Sequence, residues 1–272
     1  MNLENLTPAM KQYLQMKQQN PDCILLFRIG DFYEVFFEDA KICASVLDLI
    51  ITSKNKNSEN PIPMAGIPHH SIEKYIPRLI AKGYKVAIAE QMTDPVPWKI
   101  VERSIKSIIT PGTYIQENQR ELSTLLAITR SSEKSGTNYH LAWWDFTIGN
   151  YQTKTLSNLE QAQKLILSLR PTEIILDSDL TNKEEIICPI QSYLNCLVSV
   201  YGVPFDPEHT ILTVCKVQQL ASFGKALTEW RASALALLFA YIQHTQQQVL
   251  KNVNTISYHA ADGLVLMDET TV

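Results

Sequence analysis

The hydrophobic and polar positions near the N-terminus predict two helices that enclose a pair of strands. Thr7 and Pro8 are typical of the start of a helix, as its N-cap and its first helical residue. Apolar runs over residues 23–29 and 32–37 predict two strands. Apolar positions return at helical spacing over residues 39–49, which predicts the second helix.

The next segment continues this pattern of short elements. Residues 53–63 are polar, with two lysines and two prolines, and predict a loop. A strong apolar face predicts a helix over residues 71–82 that ends at Gly83. Short strands are predicted at residues 86–89 and 105–109.

The second half of the chain begins with a polar stretch. Residues 116–137 are rich in Ser, Glu, Lys and Asn and predict an inter-domain link with room for one strand. Strands are predicted at residues 139–146 and 173–176, on either side of a helix that Ser157 and Glu160 would begin as a capping box.

The last third of the chain is predicted to be helical, over residues 214–223 and 227–250. The preceding strand–helix–strand order favours a sheet with helices packed on it. The sequence therefore predicts an α/β protein of two domains, of which the first has a mixed sheet with packed helices.

Composition and charge narrow the class of protein. Apolar residues make up 45% and charged residues 19%, which is ordinary for a folded soluble protein. Residues 1–115 carry 13 Lys/Arg against 12 Asp/Glu, whereas residues 116–272 carry 11 against 16. This asymmetry permits DNA binding by the first part without demonstrating it, because phosphate contacts need a local basic face.

Compartment and redox state follow from what the sequence contains. We expect a cytoplasmic protein, since the N-terminus has no basic segment followed by an apolar one and no stretch approaches the roughly 20 apolar residues of a membrane span. Five cysteines at irregular spacing, without a CxxC pair, predict reduced and mostly buried thiols rather than a zinc site or disulfides.

The most informative segment is a strand, a glycine turn and a second strand around Gly30-Asp31. Phe32 and Glu34 are two residues apart and so project from the same face of the second strand. An aromatic side chain beside a carboxylate is unusual on a core face, because an unpaired buried carboxylate is costly. Taken alone, the pair is more typical of a surface glutamate beside a half-buried phenylalanine.

Several blocks in one order give this pair a context. The chain resembles the N-terminal part of the MutS family of DNA mismatch repair proteins. The blocks that carry the resemblance are Gly30-Asp31-Phe32-Tyr33-Glu34, Asp39-Ala40-Lys41, Met64-Ala65-Gly66-Ile67-Pro68-His69-His70, Ala89-Glu90-Gln91, Val101-Glu102-Arg103 and Thr110-Pro111-Gly112-Thr113.

The resemblance implies a minor-groove wedge. Phe32 would stack on one mispaired base while the duplex kinks, and Glu34 would accept a hydrogen bond from that base. Further residues would meet the DNA backbone without reading sequence. These candidates are Arg28, Gly30, Asp31, Lys54, Lys56, Met64, Gly66, Pro68, His69, His70, Lys74, Lys85, Lys99 and Lys106.

The resemblance also implies a domain plan: a mismatch-recognition domain over residues 1–115, the link over 116–137, an RNase H-like connector domain over 138–260, and the start of a lever domain over 261–272. The connector would join the DNA-reading domain to the rest and contact other mismatch repair proteins. Asp177 and Asp179, with Trp143 to Thr147 on an earlier strand, leave an RNase H-like nuclease as an alternative.

Cofactors and assembly are expected to belong to the rest of such a protein. The only Gly-Lys pair, Gly224-Lys225, lacks the other residues of a phosphate-binding loop, so this chain is expected to hold neither ATP nor Mg²⁺ and to have no enzymatic activity. We expect a monomeric fragment of a homodimeric, nucleoid-associated bacterial protein. A protein-interaction module that does not bind DNA by itself stays open as an alternative.

Overall fold

A computed structural model describes residues 6–54, 61–93, 100–114, 124–134, 136–145, 150–180, 183–194, 196–220, 229–246 and 256–258. The chain divides into two compact units, Met1–Pro111 and Gly112–Val272. Each unit has a six-stranded sheet of its own. The two-domain α/β class predicted from the sequence is confirmed.

The first unit is built on a mixed sheet. Its strands are β1 (Cys23–Ile29), β2 (Phe32–Phe36), β3 (Thr52–Lys54), β4 (Ile62–Pro68), β5 (Lys85–Gln91) and β6 (Arg103–Ile109). They lie in the order β3-β4-β2-β1-β5-β6. Strands β1 and β5 are parallel and the other neighbours are antiparallel, so the hairpin of β1 and β2 occupies the centre of the sheet.

Three helices, α1 (Pro8–Gln19), α2 (Phe37–Leu47) and α3 (Ile72–Ala81), cover this sheet incompletely. As predicted, Thr7 caps α1, and its hydroxyl accepts a hydrogen bond from the Met10 N–H at 3.4 Å. Tyr13 of α1 packs edge-to-face on Phe27 and Phe36. Helix α1 therefore covers the part of that sheet face where these two rings lie.

Two predictions for the first unit need correction. The predicted loop over residues 53–63 contains the end of β3 and the start of β4, which pair with each other. The second helix begins at Phe37 and ends at Leu47, after which Asp48 adopts a left-handed conformation with φ +58°. A three-residue edge strand is too short to show a periodic pattern, and its pairing with β4 is a tertiary contact.

The second unit also contains a mixed sheet. Its strands are β7 (Thr124–Glu133), β8 (Gly136–Asp145), β9 (Asn150–Leu156), β10 (Glu173–Asp177), β11 (Leu197–Tyr201) and β12 (Ile256–Tyr258). Their order is β11-β10-β7-β8-β9-β12, with β7, β8 and β9 antiparallel and β10 parallel to both β7 and β11. This order agrees with the RNase H-like connector that the resemblance implies.

Helices cover both faces of the second sheet. They are α4 (Leu159–Leu169), α5 (Lys183–Gln191), α6 (Pro207–Cys215) and α7 (Glu229–Thr245). Leu125 and Ala127 of β7 belong to the core with α6 and α7, whereas Leu126 and Ile128 belong to the core with α4 and α5. Because side chains alternate across a strand, the part of β7 that contributes to both cores, residues 125–128, is a continuous apolar run.

Two predictions for the second unit are wrong in position. Strand β7 lies within residues 116–137, where the predicted link left room for one strand. Helix α4 is capped by Asn158, whose side chain accepts a hydrogen bond from the Gln161 N–H at 2.9 Å, rather than by Ser157. Helix α6 ends at Cys215, where a helix over residues 214–223 was predicted to begin. The predicted lever segment 261–272 lies outside the described residues.

A buried carboxylate joins several elements of the second unit. Glu173 is fully buried, and its Oε1 accepts hydrogen bonds of 2.5 Å from both Ser199 Oγ and the Tyr241 hydroxyl. Its Oε2 accepts a 3.0 Å bond from the Gly112 N–H. A Cβ at Gly112 would lie 2.5 Å from Leu125 Cδ1, so a glycine is required there. The network fixes the first residue of this unit against β10, β11 and α7.

The five cysteines are free. Cys23, Cys43 and Cys215 are buried, Cys196 is partly buried and Cys188 is exposed, so most of the thiols are at least partly buried, as predicted. Burial raises the pKa of the Cys43 thiol to about 12. These buried thiols are packing residues.

Candidate nucleic-acid interface

The side chains on one face of β2 become more exposed from the end of the strand towards its start. Phe36, Glu34 and Phe32 share this face because they lie two residues apart. Phe36 is buried beneath Tyr13, the Glu34 side chain is 19% exposed, and Phe32 is 47% exposed. The structure thus presents an aromatic ring at the surface with a carboxylate beside it, as the sequence predicted.

The turn that precedes Phe32 is held by hydrogen bonds on both sides. Gly30 has φ +59°, a left-handed conformation that glycine adopts without strain. Its N–H donates to Gln91 Oε1 at 2.9 Å, and the His69 N–H donates to the Asp31 carbonyl at 2.9 Å. The Arg28 guanidinium also donates to the Gly30 carbonyl. These contacts fix the position from which Phe32 projects.

Glu34 is paired with a lysine from the neighbouring part of the sheet. Lys54 Nζ lies 3.4 Å from Glu34 Oε2 and 5.0 Å from the centre of the Phe36 ring. A second cation, Arg103, lies over the Phe27 ring at 5.0 Å. Burial lowers the pKa of the Arg103 guanidinium, and the negative charge of Glu34 partly offsets that effect. The carboxylate therefore lies in a positively charged surrounding.

An open groove of about 560 Å³ lies beside Phe32 and Glu34. It is lined by Phe32, Glu34, Asp48, Leu49, Ile50, Thr52, Met64 and Gly66. Gly66 faces Phe32 closely, since a Cβ built on it would be 3.7 Å from the ring. The groove combines apolar lining residues with the carboxylates of Glu34 and Asp48.

The far wall of the groove is fixed by Arg78 of α3. Its guanidinium donates to Asp48 Oδ2 at 2.6 Å and to the carbonyls of Val46 and Leu47 at 2.8 and 3.2 Å. Those carbonyls lie at the C-terminal end of α2, which a cation stabilises. Sequence reasoning missed this wall. The only signal was the apolar run over residues 49–51, in which Ile50 is 84% exposed.

Arg28 is engaged by the protein itself. Its guanidinium lies 5.5 Å from the Tyr33 ring centre and 3.9 Å from Glu90 Oε2, and its side chain is 18% exposed. The Tyr33 hydroxyl donates to Glu90. Burial, with help from Glu90, raises the pKa of Tyr33 to about 12. These groups support the opposite face of the hairpin, since Tyr33 and Phe32 are adjacent in one strand.

The remaining backbone candidates fall into three groups. Met64 and Gly66 line the groove, while Pro68 pairs with Phe32 across the strands and leads into His69 and His70. Lys74 and Lys106 are exposed on α3 and β6, whereas Lys85 pairs with Asp22 at 2.6 Å. Lys56 and Lys99 lie outside the described residues.

Asp145 and Asp177, the acidic residues of the nuclease alternative, lie several residues apart along the sheet. Asp145 pairs with Thr124, the first residue of β7, whereas Asp177 follows Leu176, which pairs with Ile128. A two-metal nuclease needs its carboxylates close enough to hold ions about 4 Å apart. Asp177 instead accepts a hydrogen bond from the Asp179 N–H at 3.2 Å, which is a local turn. Within the described ranges, no cluster of three or more His, Cys, Asp or Glu could hold a metal.

Comparison with known proteins gives matches along nearly all of the chain. The family model for MutS domain I matches residues 7–118, and the model for MutS domain II matches residues 123–254. The DNA mismatch repair protein MutS of Streptococcus mutans is 35% identical over the whole chain. The DNA mismatch repair protein HexA of Streptococcus pneumoniae serotype 4 is 36% identical over 273 residues, also across the whole chain.

The chain belongs to the MutS family. The resemblance inferred from the sequence blocks is confirmed, and both units correspond to MutS domains. The chain spans 30% of the length of the S. mutans and S. pneumoniae relatives. A chain in a solved structure of a simian T-cell lymphotropic virus intasome with the PP2A regulatory subunit B56 gamma aligns with 42% of this chain, over 47% of its own length. The sequence identity is 17% and the TM-score is 0.23, which is too low to bear on the fold.

The described helices include none that is both long and apolar enough to cross a membrane.

Proposed function

We propose that this chain binds mismatched double-stranded DNA by inserting Phe32 into the minor groove at the mismatch. The observation that carries the proposal is an exposed aromatic ring beside a half-buried carboxylate, both on one strand face that follows a fixed turn. Exposed aromatic rings stack on bases and wedge open base steps. The fixed backbone beneath the ring favours binding, because a mobile ring would lose conformational entropy when it inserts.

Selectivity would come from the ease with which the duplex deforms. Unstacking one base step costs a few kcal/mol, and the cost is lower where the step is already poorly stacked. Glu34 would accept a hydrogen bond from the base that Phe32 contacts. A carboxylate among phosphates is repelled unless it pairs with a base N–H or takes up a proton, so Glu34 would discriminate against duplexes that offer neither.

The DNA backbone would be contacted by the exposed cations of the first unit, such as Lys74 and Lys106. A surface with few such contacts gains little from counterion release. We therefore expect dissociation constants in the micromolar range or weaker, by analogy with non-specific binding at about 10⁻⁶ M. The relatives are bacterial proteins, so we propose that the target is DNA in the bacterial cytoplasm.

The test is fluorescence anisotropy of the chain with a G·T duplex and its matched control at low salt. We expect Phe32→Ala to abolish the preference for the G·T duplex, because the ring supplies the stacking, worth about 1–3 kcal/mol per base. Tyr193→Ala is the matched control: it also truncates an exposed aromatic residue, but in the second unit. Equal binding of the two duplexes by the unaltered chain would contradict the proposal.

A protein-interaction role is the second candidate, through contact with other mismatch repair proteins. It is favoured by the edge strand β11, where Val200 is 52% exposed and the nearby Phe205 is fully exposed. Exposed apolar residues at a sheet edge are typical of protein contacts. If Phe32→Ala left every measured activity of the chain unchanged, this role would replace DNA reading as its function.

A further inference from the structure

Lys54 occupies an unusual position for a lysine on a proposed DNA-binding surface. Its ammonium is turned back over the Phe36 ring and towards Glu34, and its side chain is only 29% exposed. Lys74 and Lys106, in contrast, are exposed. A lysine that serves mainly as a phosphate contact gains most by extending into solvent, where it can follow the DNA backbone. The position of Lys54 is better suited to a contact inside the groove.

The charged groups that face Glu34 come from three elements. Lys54 of β3 is in direct ion-pair contact with it, and Arg103 of β6 is within electrostatic reach. Asp48, on the groove wall, has its charge matched by Arg78 at 2.6 Å. Because Arg78 pairs with Asp48, Lys54 is the cation that chiefly neutralises the Glu34 carboxylate.

We propose that Lys54 is a positioning residue for Glu34: it orients the carboxylate and cancels its charge in the groove, and it does not act as a phosphate contact. The proposal rests on the proposed function, since it assigns Lys54 a role in DNA reading by the same face. It adds a specificity-determining residue beside Phe32 and Glu34.

The physical reason is the negative potential of the DNA minor groove. An unpaired carboxylate brought to this potential is repelled by the phosphates, whereas a carboxylate paired with an ammonium presents a neutral unit. The pairing at 3.4 Å also limits the directions in which the carboxylate oxygens can point. The contribution of Lys54 should therefore depend on the presence of the Glu34 charge, while a phosphate contact would contribute regardless of it.

A double-mutant cycle separates these two roles. DNA binding is measured by anisotropy for the unaltered chain, Lys54→Met, Glu34→Gln and the double variant, with G·T and matched duplexes. Methionine retains the unbranched stem over Phe36 while removing the charge. We expect Lys54→Met to weaken G·T binding by about tenfold when Glu34 is present, and by less than about twofold when residue 34 is glutamine, which is the coupling typical of a contacting pair.

Two further variants serve as controls. Lys54→Arg preserves the charge and should keep most of the affinity. Lys41→Met removes one positive charge and one exposed ion pair, with Glu38 at 2.9 Å, from helix α2. It should change binding by less than about twofold, since an isolated exposed pair contributes little.

The outcomes distinguish this proposal from the proposed function. Mismatch-selective binding with an equal loss on Lys54→Met in both backgrounds would overturn the role of Lys54 and leave the function intact. A coupled loss, with the affinity retained in Lys54→Arg, supports the role. Absence of DNA binding by the unaltered chain would overturn both.

Discussion

Phe32 and Glu34 acquire their properties from neighbours that lie far away in the sequence. Phe32 is exposed because α1 covers only the far end of the β2 face, and Glu34 is half-buried between β1 and β4. Their common face could be predicted from the two-residue spacing. The ion pair with Lys54 could not, because it depends on β3 reaching the same face through its pairing with β4.

Gly112 allows a test at the scale of one residue. A Cβ there would lie 2.5 Å from Leu125 Cδ1 and 2.6 Å from Glu173 Cβ. We expect Gly112→Ala to lower the free energy of unfolding of the second unit by about 1–3 kcal/mol, the usual cost of overpacking a core. Urea denaturation monitored by tryptophan fluorescence would measure it, since Trp143 and Trp144 lie in this unit.

Gly202→Ala is the matched control in the same unit. The added methyl group would meet Ser178 Oγ at 3.5 Å, an ordinary contact. A change as large as that of Gly112→Ala would show that loss of glycine, rather than the close approach, causes the effect.

The elements of this protein form where local pattern and packing agree. Helix α1 begins as predicted because Thr7 and Pro8 act locally. The short edge strand β3 follows from a tertiary contact, its pairing with β4. Helix α6 ends at Cys215, after which Lys216 adopts a left-handed conformation. At the start of α4, the cap predicted at Ser157 is displaced by one residue, since the structure caps the helix with Asn158.

Asn158→Ala tests this cap at the scale of one helix. Its side-chain oxygen satisfies the Gln161 N–H, so its loss should cost about 1 kcal/mol of stability. Ser157→Ala should cost less, because its hydroxyl reaches only the Gln161 side chain, at 3.5 Å. Chemical denaturation of the two variants side by side would decide, and a larger loss for Ser157→Ala would restore the capping box that the sequence predicts.

At the scale of the whole molecule, the second unit begins before the polar stretch that sequence reasoning assigned to a link. Gly112 donates to Glu173, and the Gln246 side chain donates to the Thr113 carbonyl at 2.5 Å. The unit therefore includes a segment that precedes its first strand. Side-chain composition does not reveal this segment, because its contacts are made by backbone groups whose partners come from β10 and from the residue that follows α7.

Two fragments of the second unit test this boundary. A fragment of residues 112–272 retains both contacts, whereas one of residues 124–272 loses them and leaves the Glu173 carboxylate with an unfilled acceptor position in the core. We expect the shorter fragment to be less stable by about 2 kcal/mol or more, the cost of leaving a buried polar group unsatisfied. Equal thermal unfolding midpoints would show that the unit begins at β7.

The sequence by itself determined the two-domain α/β class, the start of α1 at Thr7 and Pro8, the β1–β2 hairpin and the shared face of Phe32 and Glu34. These features depend on side-chain periodicity and on local backbone preferences, which act over a few residues. Only the tertiary structure decided the edge strand β3, the groove wall held by Arg78, the pairing of Lys54 with Glu34 and the place of Gly112 beside Glu173. Each of these joins residues that are distant in the chain, and their proximity is set by the order of strands in the sheet and the packing of helices on it.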